Sequence, residues 1–387
     1  VRNVLVCAGD ASGDLHAAGF VEALRARLPD LHFMGLGGQA MEKAGVELLV
    51  HQRELAIGGL VEVLSSLRRV LAAARRLGRA VREQHPALAV LVDSPDFNLP
   101  FARRLERAGV PILYYVSPQV WAWRRGRVGR LARRVDRMAA IFPFEPAVYA
   151  GTGLRVEFVG HPLVEPLAAL AARMDAATAR SALGLRANGE LVALFPGSRR
   201  NELRHHLGLF LETATALHAL RPDVAFVLGL APTLEREPVD EAIRRAGLPP
   251  TLRIDLVVGR AHEVMLAADA VLAKPGTVTV EGMLLERPMV VAGRASALSV
   301  FIGRRIIHVP SFTMANLIAD APVVPEFLQE DARPEPIARA LALLLEGPAA
   351  DRQRARLASV RARLGAGGAA ERAAAIAEEM LRGPARP

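Results

Sequence analysis

The residues best suited to chemistry in this chain stand just beyond short apolar runs. In LAVLVDSPDFN (Leu88–Asn98), Asp93 directly follows a run that reads as a buried strand. A carboxylate at the carboxyl end of a parallel strand lies where open α/β sheets bind ligands, and in its ionised form it can take a proton from a hydroxyl. Asp96 and Asn98 come next, and capping of the helix that starts near Leu99-Pro100 accounts for one or both. In LVALFPGSRRNELRHH (Leu191–His206) another apolar run turns sharply at Pro196-Gly197, and Ser198 and Glu202 suit a helix start. Unpaired N–H groups at such a turn accept an anion, and Arg199 and Arg200 could grip a phosphate there. A third group is AKPGTVTVEG (Ala273–Gly282). Gly276 permits close backbone approach, Thr277 can donate to a phosphate, and Glu281, one turn on, can accept both hydroxyls of a ribose. Two anion-ready helix starts in one half of the chain favour a nucleotide diphosphate. Ordinary capped helices with solvated side chains are the competing reading of each.

Other stretches offer less. GDASGDLHAAG (Gly9–Gly19) is a glycine-bearing turn into a helix that Ser12 or Asp14 could cap, but it lacks the GxGxxG dinucleotide pattern. YYVSPQVWAW (Tyr114–Trp123) gathers aromatics that could stack on a base or sugar, or simply pack the end of a strand. From Leu60 to Arg82, Leu60, Leu64, Leu67, Leu71 and Ala74 recur at helical spacing, widened by Val63, Val70 and Leu77. Six arginines lie mostly on another face. Such a helix can lie in an anionic membrane interface and admit acyl chains, or pack on the core. The histidines show no metal-ligand spacing, and there is no nucleophile elbow and no Walker lysine. No metal or cofactor is expected.

The elements that must position these residues alternate strand and helix. Strands are predicted at Asn3–Ala8, His32–Gly35, Leu88–Val92, Ile112–Val116, Met138–Phe142 and Val156–Val159. After Gly160-His161-Pro162 and an alanine-rich connection (Leu163–Thr178) they resume at Leu191–Phe195, Ala225–Leu228, Arg253–Leu256, Ala270–Ala273 and Met289–Val291. A chain of 387 residues suggests two domains, and the alternation implies α/β folding into two Rossmann-like, doubly wound domains facing a cleft. The expected divisions are 1–168, 169–362 and a C-terminal helix, 363–387, within an alanine/arginine-rich tail from Pro336 to Leu381. Hydrophobic content of 51% excludes disorder. The single cysteine, Cys7, precludes an internal disulfide and reads as a buried strand residue. No signal peptide and no apolar run of roughly 18 residues is evident. The net charge is +9, yet Leu60–Arg137 alone holds 16 arginines against 6 acidic residues. That cluster suits phosphate, anionic lipid or nucleic acid. Aromatics are not interleaved with most of the arginines, which disfavours nucleic acid.

Together GDASGDLH (Gly9–His16), VDSPDFN (Val92–Asn98), YYVSPQVWAWRRGR (Tyr114–Arg127), FPFE (Phe142–Glu145), FVGHPL (Phe158–Leu163) and LFPGSRRNE (Leu194–Glu202) resemble the lipid-A-disaccharide synthase family, glycosyltransferase family 19. The motifs occur in that family's order and span most of the chain. The resemblance implies a glycosyltransferase-B fold and an inverting, metal-independent transferase. Its reaction would join UDP-2,3-diacylglucosamine to 2,3-diacylglucosamine 1-phosphate, giving a β-1,6-linked disaccharide and UDP. It further implies a peripheral enzyme on the cytoplasmic face of the inner membrane, with an anionic membrane surface as partner and no nucleic acid. Oligomeric state is open, a homodimer included. By motif, Asp93 is the catalytic carboxylate with Asp10 the alternative base, Arg199 a diphosphate contact, Glu281 a ribose contact and Asn316 (in MANLIAD, Met314–Asp320) a polar active-site residue. Ser198, Gly276, Thr277, Ser12, Gly13, Asn98 and Ser117 complete the expected substrate contacts. The family commonly has Glu where this chain has Asp10, and an SGT-type run where it reads KPGTVTVE. A UDP-N-acetylglucosamine 2-epimerase or another UDP-sugar enzyme of the same fold is the alternative reading, and a basic nucleic-acid-binding protein is the alternative of another class.

Overall fold

The structure is a computed structural model that describes residues 2–55, 63–120, 125–295, 310–345 and 347–383, with the backbone alone for 63–67 and 125. The chain divides into two compact units, Val1–Pro162 with Ala366–Pro387, and Leu163–Gly365.

In the first unit β1 (Arg2–Ala8), β2 (Leu31–Gly37), β3 (Glu47–His51), β4 (Leu88–Val92), β5 (Ile112–Tyr115), β6 (Arg137–Ala140) and β7 (Arg155–Phe158) form one sheet in the order β3-β2-β1-β4-β5-β6-β7. Every pairing is parallel. Val4–Ala8 and all of β4 and β5 are fully buried, as continuous apolar strands covered on both faces must be. Glu47–His51 is a strand that hydrophobic pattern did not reveal. The C-terminal helix Ala369–Arg382 belongs to this unit and packs on the helix Ala11–Arg27. Glu378 pairs with Arg27 at 2.5 Å and Glu379 with Arg137 at 2.6 Å, while Arg372 donates to the Val159 carbonyl at 2.8 Å.

The second unit repeats the plan with β8 (Leu191–Phe195), β9 (Ala225–Leu230), β10 (Ile254–Val258), β11 (Ala270–Ala273), β12 (Met289–Gly293) and β13 (Glu326–Leu328), ordered β10-β9-β8-β11-β12-β13, all parallel. Its core joins the inward side chains of this sheet to Leu203, Leu207, Phe210 and Leu217 of the helix Arg200–Leu220 and to Ile337 and Leu341 of the helix Pro334–Leu345. The expected single helical tail is three helices, Pro334–Leu345, Pro348–Ala362 and Ala369–Arg382. Pro348 and the left-handed glycines Gly365, Gly367 and Gly368 separate them.

In each sheet the strand order reverses once, between β1 and β4 in the first and between β8 and β11 in the second. Doubly wound sheets bind ligands outside the carboxyl ends of the two strands at such a reversal, because the connections leave in opposite directions and open a crevice there. The loops placed to hold ligands are therefore those after β1, β4, β8 and β11.

Candidate active site at the strand-order reversals

The loops after β1 and β4 hold Asp10 and Asp93. Asp93 and Ser94 both adopt left-handed backbone, φ 44° and 43°, and Val116 after β5 has φ 64°. Left-handed conformation is costly for residues other than glycine, most of all for a β-branched one, and persists only where the surroundings impose it. Asn98 supplies part of that constraint. It is fully buried, and its amide N–H groups reach the carbonyls of Cys7 (3.3 Å), Val92 (3.1 Å) and Asp93 (2.9 Å), tying the ends of β1 and β4 together. The Tyr114 hydroxyl donates to the Asp93 carbonyl at 2.5 Å. Asp93 is thus held by its backbone and is itself half-buried.

Ser94 connects the two acids. The Gly9 N–H donates to its Oγ at 3.0 Å, and that hydroxyl donates to Asp10 Oδ2 at 3.1 Å. A Cβ at Gly9 would stand 2.9 Å from Ser94 Oγ, so the loops meet only because residue 9 has no side chain. Asp10 also caps the helix Ala11–Arg27 by accepting the Gly13 N–H at 2.7 Å. Burial, then the charge of Asp10, pushes the Asp93 carboxyl up to about 7, against a smaller opposing hydrogen bond from the Ser94 backbone. A carboxylate poised near neutrality on a rigid support has the property a general base needs. Burial also lowers nearby His16 to about 4 although Asp10 opposes it, so its imidazole is neutral at pH 7.

Several expectations for this unit change. The first helix is capped by Asp10 and not by Ser12 or Asp14. Ser12 is exposed with its hydroxyl 3.3 Å from His16 Nε2, and Gly13 lies in the helix's first turn. Asp14 is buried and accepts the N–H groups of Gly38, Ala40 and Met41 at 2.7–3.2 Å, holding the turn after β2. Neither Asp96 nor Asn98 caps the helix Pro95–Arg107. Asp96 pairs with Arg127 at 3.2 Å, and Asn98 is drawn inward by the three carbonyls. Tyr114 and Tyr115 are fully buried and pack the core, because they point from a central strand; Trp121 and Trp123 lie outside the described residues. Ser117 is buried, with its hydroxyl 3.0 Å from that of Tyr149. The arginine-rich helix is Val63–Gln84. Beyond Arg69 its apolar stripe divides: Ala73, Leu77 and Val81, flanked by Val70 and Ala74, enter the core, whereas Leu71 is 39% exposed beside exposed arginines. Leu60 and the side chains of Leu64 and Leu67 lie outside the described residues.

At the second reversal, the turns after β8 and β11 border a cavity of about 370 Å³ whose lining includes Ser198, Arg199, Glu202, Lys274, Thr277 and Glu281. Arg199, not Ser198, is the N-cap of the helix Arg200–Leu220. It is exposed and makes no ion pair or side-chain hydrogen bond among the described residues. Ser198 supplies its backbone N–H to Glu202 Oε2 at 3.0 Å, and Glu202 Oε1 pairs with Lys274 at 3.0 Å. Gly197 has φ 145°, and a Cβ there would come 2.5 Å from that of Glu202. After β11, Gly276 (φ 150°) precedes the helix Thr277–Leu284, whose first residues, Thr277 and Val278, line the cavity, and the first N–H groups of a helix have no acceptor within it. Glu281 lines the cavity one turn in and lies 3.6 Å from His262, whose pKa that carboxylate raises. A larger groove, about 1080 Å³, runs along the helix Arg200–Leu220 and is bordered by Leu234, Glu241, Arg245 and Pro334. The turns after β8 and β11, with Gly197, Ser198, Gly276 and Thr277, border only the smaller of the two.

Asn316 is absorbed by structure. Its amide donates to Val324 O (2.9 Å) and Glu326 Oε1 (3.1 Å) and accepts the N–H groups of Val323 and Val324 (both 2.8 Å). Glu326 in turn accepts the Thr313 N–H (2.8 Å) and hydroxyl (2.7 Å). The residues that sequence reasoning did not single out are Ser94, Glu202 as an acceptor, and His262. The links Ser94–Asp10 and Lys274–Glu202 join positions 84 and 72 residues apart, with no local signature. Among the described residues no three His, Cys, Asp or Glu side chains are grouped to hold a metal ion.

Two parallel, doubly wound units, each with candidate site residues at a strand-order reversal, define a protein of the glycosyltransferase-B fold class. Solved structures share that fold at low sequence identity. UDP-GlcNAc 2-epimerase from Neisseria meningitidis bound to UDP-GlcNAc matches with a TM-score of 0.68 at 13% identity, covering 99% of this chain and 100% of that one. Acinetobacter baumannii MurG matches with 0.57 at 12% identity, covering 98% and 100%. Sequence narrows the class. The model of the lipid-A-disaccharide synthetase family matches residues 4–380, and the chain belongs to that family. It is 43% identical to the lipid-A-disaccharide synthase of Syntrophotalea carbinolica over 98% of this chain and 96% of that protein. It is 45% identical to that of Anaeromyxobacter dehalogenans strain 2CP-C over the same shares. Relatedness of this extent favours a lipid transferase over the epimerase and nucleic-acid alternatives.

Proposed function

We propose that the chain transfers 2,3-diacylglucosamine from UDP to the 6-hydroxyl of 2,3-diacylglucosamine 1-phosphate with inversion, releasing UDP. The observation that carries the reading is membership of the lipid-A-disaccharide synthetase family. What supports the chemistry is Asp93 on a left-handed turn after β4, fixed through its carbonyl by Asn98 and Tyr114 and linked through Ser94 to Asp10, where burial raises its carboxyl to about 7. A sugar hydroxyl attacks only as its proton leaves, and Asp93 is the acceptor. Its oxygen then bonds to the anomeric carbon as the bond to the diphosphate breaks, and the electron pair departs with UDP. Burial chiefly keeps the basicity of Asp93 high, and Asp10, which accepts a hydrogen bond from Ser94, adds its charge to that effect. In the second unit Arg199 and the N–H groups at Thr277 bind the diphosphate and take up its developing charge, and Glu281 holds the ribose. This assigns nucleotide binding to Leu163–Gly365 and proton abstraction to the first unit.

Among the described residues no helix is long and apolar enough to cross a membrane. Acylated substrates nevertheless reside in a bilayer. We assign the membrane contact to the arginine-bearing outer face of Val63–Gln84 with Leu71, docking peripherally on the anionic inner face of the inner membrane. The reading is tested by UDP release from the diacylated donor. Release that requires the diacylated acceptor supports it; release without any acceptor, with epimerised sugar as product, overturns it.

A further inference from the structure

The sequence has only two lysines, and one of them, Lys274, lines the cavity at the second reversal. It stands immediately after β11, where its backbone N–H donates to the Phe195 carbonyl at 3.1 Å and so joins the ends of β8 and β11. Its side chain is 18% exposed. Nζ lies over Gly276, close enough that a Cβ there would approach it to 2.8 Å. The ammonium therefore stands between the two turns that carry the N–H donors, at Ser198 and at Thr277.

Glu202 shows what this position holds. Its two oxygens accept one hydrogen bond from the Ser198 N–H and one from Lys274, each at 3.0 Å. Burial works against its charge, but the Lys274 hydrogen bond and charge, together with the Ser198 N–H and the charge of Arg199, outweigh that and keep the carboxyl below the usual range. A turn N–H and a lysine thus already converge on an anion. Glu202 takes one of the three ammonium N–H groups, and no other side-chain hydrogen bond of Lys274 occurs among the described residues. The carboxylate fixes the ammonium over the glycine and leaves two donors for a ligand.

We propose that Lys274 is the cation that reads the diphosphate in this cavity, donating to phosphoryl oxygens of a nucleoside diphosphate, with Glu202 as the residue that positions it. The assignment rests on the nucleotide reading given above and deepens it. Lys274 makes the cavity distinguish a nucleoside diphosphate from the bare nucleoside, which presents no anion to the ammonium.

The experiment is titration of UDP and uridine into the full chain by calorimetry and ligand-observed NMR. The proteins are wild type, Lys274→Gln, and the double variant Lys274→Gln/Glu202→Gln, whose paired amides leave no lone carboxylate. Lys274→Gln and the double variant are expected to bind UDP about tenfold or more weaker, with a shallower salt dependence, and uridine as wild type does. UDP affinity within about twofold of wild type in both variants overturns the assignment while leaving the nucleotide site standing. Equal losses for uridine and UDP also overturn it, since Lys274 would then shape the cavity without reading phosphate. Wild type that binds no UDP overturns the nucleotide reading itself.

Discussion

Replacing Asp93 by Asn should make the protein slower and more stable at once. The folded carboxyl is raised from 3.8 to about 7 by burial and by Asp10, so the folded chain retains a proton that the unfolded chain releases. Between about pH 4 and 7 the unfolded state is favoured progressively, and above pH 7 the folded state carries the whole cost of the ionised group. A displacement of about three units corresponds to roughly 4 kcal/mol, and relaxation of a half-buried site reduces that to about 1–3 kcal/mol. Asparagine keeps the shape, takes no charge and bears none of this cost. Asp93→Asn should therefore unfold at higher urea concentration than wild type at pH 8, with the advantage vanishing near pH 4. Turnover at pH 8 should fall by about 10²–10⁴-fold, the range for a lost general base, with UDP affinity nearly unchanged. Wild-type turnover should rise with pH through about 7 as the base ionises. A variant less stable than wild type at pH 8, with turnover preserved, would refute both the burial argument and the catalytic role.

Three further outcomes follow from the geometry. Arg199→Ala should weaken UDP binding by about 1.5–3 kcal/mol, the range for a charge-assisted hydrogen bond, without changing the urea midpoint; calorimetry that finds equal affinity removes Arg199 from the diphosphate site. Leu77→Ala should destabilise by about 2–5 kcal/mol because Leu77 is fully buried, whereas Leu71→Ser should cost under about 1 kcal/mol and lower sedimentation with anionic vesicles; unaltered sedimentation contradicts the membrane assignment. Asn316→Ala should cost about 2–4 kcal/mol in chemical unfolding through its four hydrogen bonds, and a collapse of turnover at an unchanged midpoint would instead make Asn316 a substrate contact.

Much of the framework was legible because buried parallel strands are short, apolar and bounded by turn residues. Leu88–Val92, Leu191–Phe195 and Ala270–Ala273 were placed residue for residue. Glu47–His51 was not, since its half-buried residues dilute the apolar signal, and Glu326–Leu328 is too short to show a period. The fold follows from the alternation, and the position of the site follows from where the strand order reverses, which only the pairing reveals. Local spacing cannot show that Asn98 is needed by three carbonyls, so it read as a cap. Nor can it show two successive left-handed residues at Asp93-Ser94, where no glycine marks the turn. Helical periodicity makes the amphipathic stripe from Leu60 a single face because it cannot say which neighbour covers it; the core takes Leu77 and leaves Leu71 outside.

The most direct measurement is UDP release from UDP-2,3-diacylglucosamine by wild type and Asp93→Asn at pH 8, with and without 2,3-diacylglucosamine 1-phosphate. The account predicts release by wild type only with the acceptor, accompanied by a β-1,6-linked disaccharide, and about 10²–10⁴-fold slower release by Asp93→Asn. Acceptor-independent release, or an Asp93→Asn variant as fast as wild type, would contradict it.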